Sequence, residues 1–172
     1  MYFKTNRLEI RPISPADKED VLDLAPSEIV GKTYMLPKYQ SRTEAEPLFR
    51  RLVELSKDES RYVAGVYLNN RFIGMMNDVE RKDGQVEMGY AYLPPYYNQG
   101  YATEAFRGAI DYLLEHGFET VVAGAFVENP ASLRVMEKCG MTKQNYTDEI
   151  EYRGVTHTCI YYAVSNHQKR YT

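Results

Sequence analysis

Between Arg61 and Leu93 the apolar residues fall into a period of two, interrupted by two turn signals, Asn69-Asn70 and Lys82-Asp83-Gly84. A period of two buries one face of an extended strand, and a short turn joins antiparallel neighbours. The spacing therefore predicts a three-stranded antiparallel meander, Tyr62–Leu68, Phe72–Val79 and Val86–Leu93. Pro94-Pro95 stops the last strand, because proline gives the ladder no N–H. A sheet of this kind needs a second layer to cover its apolar face, and the flanking segments supply one.

Before the meander, Leu8, Ile10 and Ile13 alternate with charged residues and read as a strand over 7–13 that Pro12 closes. Ser14-Pro15-Ala16-Asp17 then carries a capping hydroxyl, a proline at the first helical position and a carboxylate three residues on, with Val21, Leu22, Leu24 and Ala25 as the buried stripe. Thr43-Glu44-Ala45-Glu46 reads as a second capping box ahead of Leu48, Phe49, Leu52, Val53 and Leu55. Residues 27–41, between these two helices, carry no decisive pattern. After the meander, a helix is predicted over 103–116 with Gly117 as its C-terminal cap, then a strand Thr120–Val127 and a short helix over 130–139 ending at Gly140. Two last strands, 142–152 and 155–164, turn around Arg153-Gly154, and residues 165–172 read as a loosely ordered tail. The expected class is α/β, in three layers: a mixed, mostly antiparallel sheet of about seven strands with about four helices on its faces, all in one domain spanning 1–172.

Composition narrows the function. The chain has 21 basic against 24 acidic residues, a net charge of -3, which does not make the basic footprint that nucleic-acid binding requires. The longest apolar run, Val121 to Val127, is too short to span a bilayer, and the charged N-terminus has no apolar leader segment, so a membrane is not expected. Cys139 and Cys159 fit neither a disulfide framework nor metal-ligand spacing, His116, His157 and His167 are scattered, and the economical setting is the reducing cytoplasm with no metal. The 16 tyrosines and 6 phenylalanines, without tryptophan, suit either core packing or the wall of a half-wet cleft.

Two segments carry chemistry. Tyr97-Asn98-Gln99-Gly100-Tyr101-Ala102-Thr103-Glu104 lies where a strand has ended and a helix begins. A helix N-terminus presents unpaired N–H groups and the positive end of a dipole, so this loop can cradle a phosphate, although the same residues also make an ordinary strand-to-helix turn. It matches neither the G-x-G-x-x-G dinucleotide pattern nor a P-loop. The second segment begins at Asn129-Pro130, a cap followed by proline at the first helical position. Asn129, Ser132 and Met136 recur at i, i+3 and i+7, so one helix face carries an amide, a hydroxyl and a thioether.

In their order and spacing these segments resemble the GNAT superfamily of acyl-CoA N-acyltransferases, and within it the RimJ/RimL-type ribosomal-protein N-terminal acetyltransferases. The resemblance covers nearly the whole chain, from Thr5-Asn6-Arg7-Leu8-Glu9-Ile10-Arg11-Pro12 through Glu87-Met88-Gly89-Tyr90, Gln99 to Ala105 and Asn129 to Gly140, to Tyr161-Tyr162-Ala163. It implies acetyl-CoA as cosubstrate and an amine as acceptor. The N-terminal amine of a peptide is favoured, with a polyamine, an amine drug or a small metabolite as rivals, and a homodimer fits without being demanded. At the cofactor it implies Tyr92 and Leu93 for the pantetheine amides, Tyr97, Asn98, Gln99, Gly100, Tyr101, Ala102 and Thr103 for the pyrophosphate, and Asn129, Ser132 and Lys138. Many members carry a tyrosine acid where this chain has Met136, which cannot donate a proton. Ser132, one turn earlier, is the candidate acid. The amine attacks the thioester directly in a ternary complex, and Glu87 is the candidate base. The missing tyrosine also suits a different class, an acyl-CoA-binding sensor or partner module without turnover.

Overall fold

A computed structural model describes residues 1–166. Among the described residues, eight strands and five α-helices follow one another as β1 (Phe3–Lys4), β2 (Leu8–Arg11), α1 (Lys18–Leu24), α2 (Glu28–Gly31), α3 (Arg42–Lys57), β3 (Ala64–Leu68), β4 (Arg71–Lys82), β5 (Gln85–Tyr92), α4 (Tyr101–Glu115), β6 (Thr120–Phe126), α5 (Pro130–Lys138), β7 (Thr142–Tyr152) and β8 (Val155–Ser165). The neighbour order in the sheet is β1-β2-β3-β4-β5-β6-β8-β7. The β5–β6 pair is parallel, and the β1–β2, β2–β3, β3–β4, β6–β8 and β7–β8 pairs are antiparallel.

The meander forms because its connections tolerate left-handed backbone. Asn69 and Asn70 have φ of 50° and 66°, and Asp83 and Gly84 have 50° and 76°. Positive φ at both central residues is the hairpin turn that matches strand twist. The same geometry recurs at Arg153 and Gly154, joining β7 to β8.

The chain divides into two compact units, 1–77 with 90–105, and 78–89 with the chain from Phe106 onward, so β4, β5 and α4 each run through both. In the first unit, α1 and α3 bury Val21, Leu22, Leu24, Phe49 and Leu52 in one cluster with Tyr67, Phe72 and Met75 of β3 and β4. In the second, Phe106, Ile110 and Leu113 of α4, Val121 and Ala123 of β6 and Met136 of α5 are all fully buried or nearly so. Val122, Phe126, Cys159 and Tyr161 form a separate cluster there.

Several helix starts differ from the sequence reading. Residues 27–41 contain the one-turn α2, capped by Ser27, whose Oγ accepts from the Val30 N–H at 3.3 Å. Helix α3 begins two residues before the expected box: Ser41 is the cap, accepting from Glu44 N–H, and the Glu44 carboxylate returns to Gln40 N–H at 2.7 Å. Glu46 is instead paired with Lys18 at 3.0 Å. The strand at 142–152 and its partner follow expectation, except that Ser165 belongs to β8. Asn166 of the expected tail donates its N–H to Glu119 O at 3.3 Å, and residues 167–172, His167 among them, lie outside the described residues.

Asp17 does more than cap. Its Oδ2 accepts from Ser14 N–H at 2.7 Å, Ser14 Oγ at 2.8 Å and the Tyr67 hydroxyl at 2.7 Å. With Asp17 only 7% exposed, these bonds tie the start of the α1 segment to β3. Truncation would leave the buried Tyr67 phenol only its longer bond to Pro12 O at 3.4 Å, and Asp17→Ala is expected to cost about 1–3 kcal/mol, read as a lower urea midpoint.

Candidate active site

Of the residues singled out by sequence, Tyr92, Leu93 and Tyr97–Thr103 belong to the first unit, while Glu87, Asn129, Ser132 and Lys138 belong to the second. In the first, β5 ends in a single 3-10 turn, Pro94–Tyr96, before the loop that opens α4. Asn98 and Gly100 are both left-handed, with φ of 59° and 80°. The Gln99 side chain donates to Pro95 O at 2.8 Å and so folds the loop back on itself. Gly100 O accepts the first helical bond, from Glu104 N–H at 3.0 Å, which makes Gly100 the cap. The N–H groups of the first turn therefore have no partner within the helix.

Leu93 is more engaged than its sequence role suggests. Its N–H goes to Ile73 O at 2.9 Å and its C=O takes Tyr96 N–H at 3.0 Å, leaving the carbonyl's second lone pair for a ligand. Tyr92 is buried, its ring lying across Gly74 of β4, where any Cβ would collide with it. Tyr97 is half-buried; burial pushes its phenol's pKa up, against a hydrogen bond with Thr33.

The N-terminal segment also reaches this loop, a contact the sequence reading did not find. Glu104, in the first turn of α4, accepts from Thr5 Oγ1 at 2.6 Å, Arg7 N–H at 2.7 Å and Arg7 Nε at 2.6 Å. Arg7 Nη1 donates to Gln99 O at 3.2 Å, and the guanidinium lies 4.5 Å over the Tyr101 ring. Burial opposes ionisation of Glu104, but the bonds from Thr5 and Arg7 together outweigh it and hold the carboxyl below its ordinary range.

In the second unit the parallel β5–β6 ladder consists of three pairs, Gln85↔Thr120, Val86↔Val121 and Glu87↔Val122. Glu87 stands at its last rung. Burial raises its pKa, and the charges of Glu80 and Asp148 add to the rise. Tyr161 of β8 is held protonated, first by burial, then by Cys159 and by its hydrogen bond to Asp148, with Glu87 contributing. Its ring stacks on Tyr146 at 5.1 Å, and Gly124 on β6 provides the room, since a Cβ there would meet the Tyr161 ring at 2.8 Å and Cys159 Sγ at 2.9 Å. Asp148, Tyr146 and Tyr161 went unremarked in the sequence as neighbours of Glu87, being more than fifty residues away along the chain.

Asn129 caps α5, its Oδ1 accepting from Ser132 N–H at 3.2 Å, so the amide is fixed against the Ser132 backbone. Asn129 is itself buried and Ser132 half-buried, and Met136 lies deeper than either. It is fully buried, because the i+7 position of this short helix turns into the core. Lys138 is exposed in the last turn. Burial pushes the Cys139 thiol up to about 11 and raises Cys159 as well, so neither is a ready thiolate nucleophile. His116 is bound to Tyr112 O at 2.7 Å at the end of α4, and His157 stacks on Phe126 at 4.4 Å with Glu128 3.6 Å away. Among the described residues no helix is long and apolar enough to cross a membrane, and no three metal-ligating side chains cluster.

The family model of the Acetyltransferase (GNAT) domain matches residues 7–142. A curated relative, the uncharacterized N-acetyltransferase YoaA of Bacillus subtilis, is 23% identical over 159 residues, 90% of each chain. Two solved structures share the fold at 18% identity. One is RimL, a ribosomal L7/L12 α-N-protein acetyltransferase in complex with coenzyme A, with a TM-score of 0.83 over 96% of this chain and 98% of that one. The other is a spermidine N-acetyltransferase from Vibrio cholerae in complex with CoA and spermine, with a TM-score of 0.78 over 94% and 97%.

Proposed function

The chain belongs to the GNAT acetyltransferase family and is an acetyl-CoA-dependent acetyltransferase, and on that premise we propose that its acceptor is the N-terminal amine of a peptide, in the manner of the RimJ/RimL type. The observation that carries the cofactor assignment is the loop opening α4: two left-handed residues, a glycine cap, and first-turn N–H groups that the helix cannot use. Tyr97, Asn98, Gln99, Gly100, Tyr101, Ala102 and Thr103 hold the pyrophosphate. The backbone of Tyr92 and the Leu93 carbonyl pair with pantetheine amides, Asn129 touches the pantetheine arm, and Lys138 offers an exposed cation to the phosphates. The cytoplasm is where two cysteines that form no disulfide would stay reduced.

Glu87 is the base. The attacking amine must be neutral, and a carboxylate whose pKa is raised takes a proton nearer neutral pH than an ordinary one. Transfer needs no acyl-enzyme: the nitrogen attacks the thioester carbonyl, the C–S bond breaks, and CoA leaves as the thiolate. Ser132 donates a hydrogen bond to that thiolate, with its backbone fixed by the Asn129 cap. Ser132→Ala is expected to lower kcat about 10–100-fold, the worth of one hydrogen bond to a charged group.

Free-thiol release from acetyl-CoA, measured with an unblocked peptide, the same peptide N-blocked, spermidine and an aminoglycoside, tests the acceptor. The unblocked peptide alone should release thiol. A second reading, a polyamine acceptor, draws support from the acidic surroundings of Glu87, where the charges of Glu80 and Asp148 add to the effect of burial and a cationic amine would offset them. Release with spermidine and not with peptide would favour it, and silence with every amine by a CoA-binding protein would favour a sensor or partner module.

A further inference from the structure

We propose that Arg7 is a positioning residue for the cofactor loop, acting by neutralising Glu104 and turning its carboxylate out of the first turn of α4. This inference rests on the loop's assignment to the CoA phosphates. A carboxylate in the first turn of a helix is attracted by the same positive dipole end and the same orphan N–H groups that bind an anion. Left to itself, Glu104 would compete with the cofactor for those groups and place a negative charge beside a pyrophosphate.

The fold removes it. Thr5 closes the turn between β1 and β2, its N–H bonded to Leu8 O at 2.9 Å and its Oγ1 accepting from Leu8 N–H at 3.1 Å, and this turn presents Arg7 to α4. Glu104 then takes three donors from this segment within 2.7 Å, all from residues outside its own helix. With Nε on Glu104 and Nη1 on Gln99 O, the guanidinium bridges the carboxylate to the loop, while Nη2 lies 3.4 Å from where a Cβ on Gly100 would stand. Its flat fork makes both bonds at once, which a lysine ammonium could not reproduce. The Glu104 carboxylate is thus held by Thr5 and Arg7, and the loop carries no net side-chain charge from it.

Binding by calorimetry tests this without knowing the acceptor, using CoA and, as a probe lacking the phosphates, pantetheine. Arg7→Gln should weaken CoA about tenfold, the scale of one uncompensated charge near a phosphate, and leave pantetheine within about twofold. Adding Glu104→Gln to Arg7→Gln should restore most of the CoA affinity, and Glu104→Gln alone should bind CoA as well as wild type or better. If Arg7→Gln proves unfolded by its melting curve, the Glu104→Gln single variant still decides. Weaker CoA binding by Glu104→Gln, a parallel loss of CoA and pantetheine in Arg7→Gln, or a double variant no better than Arg7→Gln would overturn the proposal. Wild-type protein that binds neither compound would overturn the loop assignment itself, whereas wild-type binding of CoA with an unaffected Arg7→Gln would remove only the role of Arg7.

Discussion

Glu87→Gln is expected to slow acetyl transfer by about 10²–10⁴-fold at neutral pH, the usual contribution of a positioned base, with little change in CoA affinity. The amide keeps the shape of the side chain and cannot accept the proton. In the wild type, kcat should fall as pH drops through the raised pKa of Glu87, because protonated Glu87 is no base; in Glu87→Gln that limb should vanish. Stability moves the other way. A carboxyl whose folded pKa lies above its unfolded value destabilises the fold when ionised, and this cost disappears as pH falls through the folded pKa. Glu87→Gln should therefore melt higher than wild type at pH 7, and the difference should shrink toward acid. An activity loss accompanied by a lower melting temperature would mean that the residue is structural.

Met136→Ala is expected to destabilise the protein by about 2–5 kcal/mol, measured by urea unfolding with an unchanged m-value. The side chain is fully buried in the second unit, and its removal leaves a cavity that the short helix α5 cannot collapse onto. Burial also bears on catalysis. In the mechanism proposed above, the Met136 thioether, sealed in the core and unable to donate a proton, takes no part, and the hydrogen bond to the leaving thiolate falls to Ser132. Near-wild-type stability in Met136→Ala would show that this position is not packed as described.

What the sequence disclosed and what it hid divide along physical lines. The hairpins at Asn69-Asn70, Asp83-Gly84 and Arg153-Gly154 were legible because left-handed backbone restricts the residue types that occupy it, so the turn is written locally. Helices α4 and α5 were legible from their apolar period and from Gly117 and Gly140 beyond their ends, whose φ of 100° and 79° fit C-terminal caps. The start of α3 was misread because Ser41 and Thr43 both offer a capping hydroxyl two residues apart, and choosing between them depends on where the chain enters the helix. Helix α2 is a single turn, too short to show a period. Met136 was placed correctly on its helix but on the wrong side of the core boundary, since i, i+3, i+7 spacing names a shared face without saying how far burial extends along it. Glu104 and Arg7, ninety-seven residues apart, are joined by folding alone, and so are Glu87 and Asp148. No local pattern announces such pairs.

The account stands most directly on acetyl-CoA binding by this chain, and a thermal-shift titration with acetyl-CoA, against buffer and ATP, measures it. At a hundred times the dissociation constant, ligand linkage supplies about 2.7 kcal/mol, which for a chain of this length is about 5–10 °C in melting temperature. The account predicts a shift of that size with acetyl-CoA and none with ATP. An unmoved melting curve at saturating acetyl-CoA would contradict it and reduce the loop before α4 to an ordinary turn.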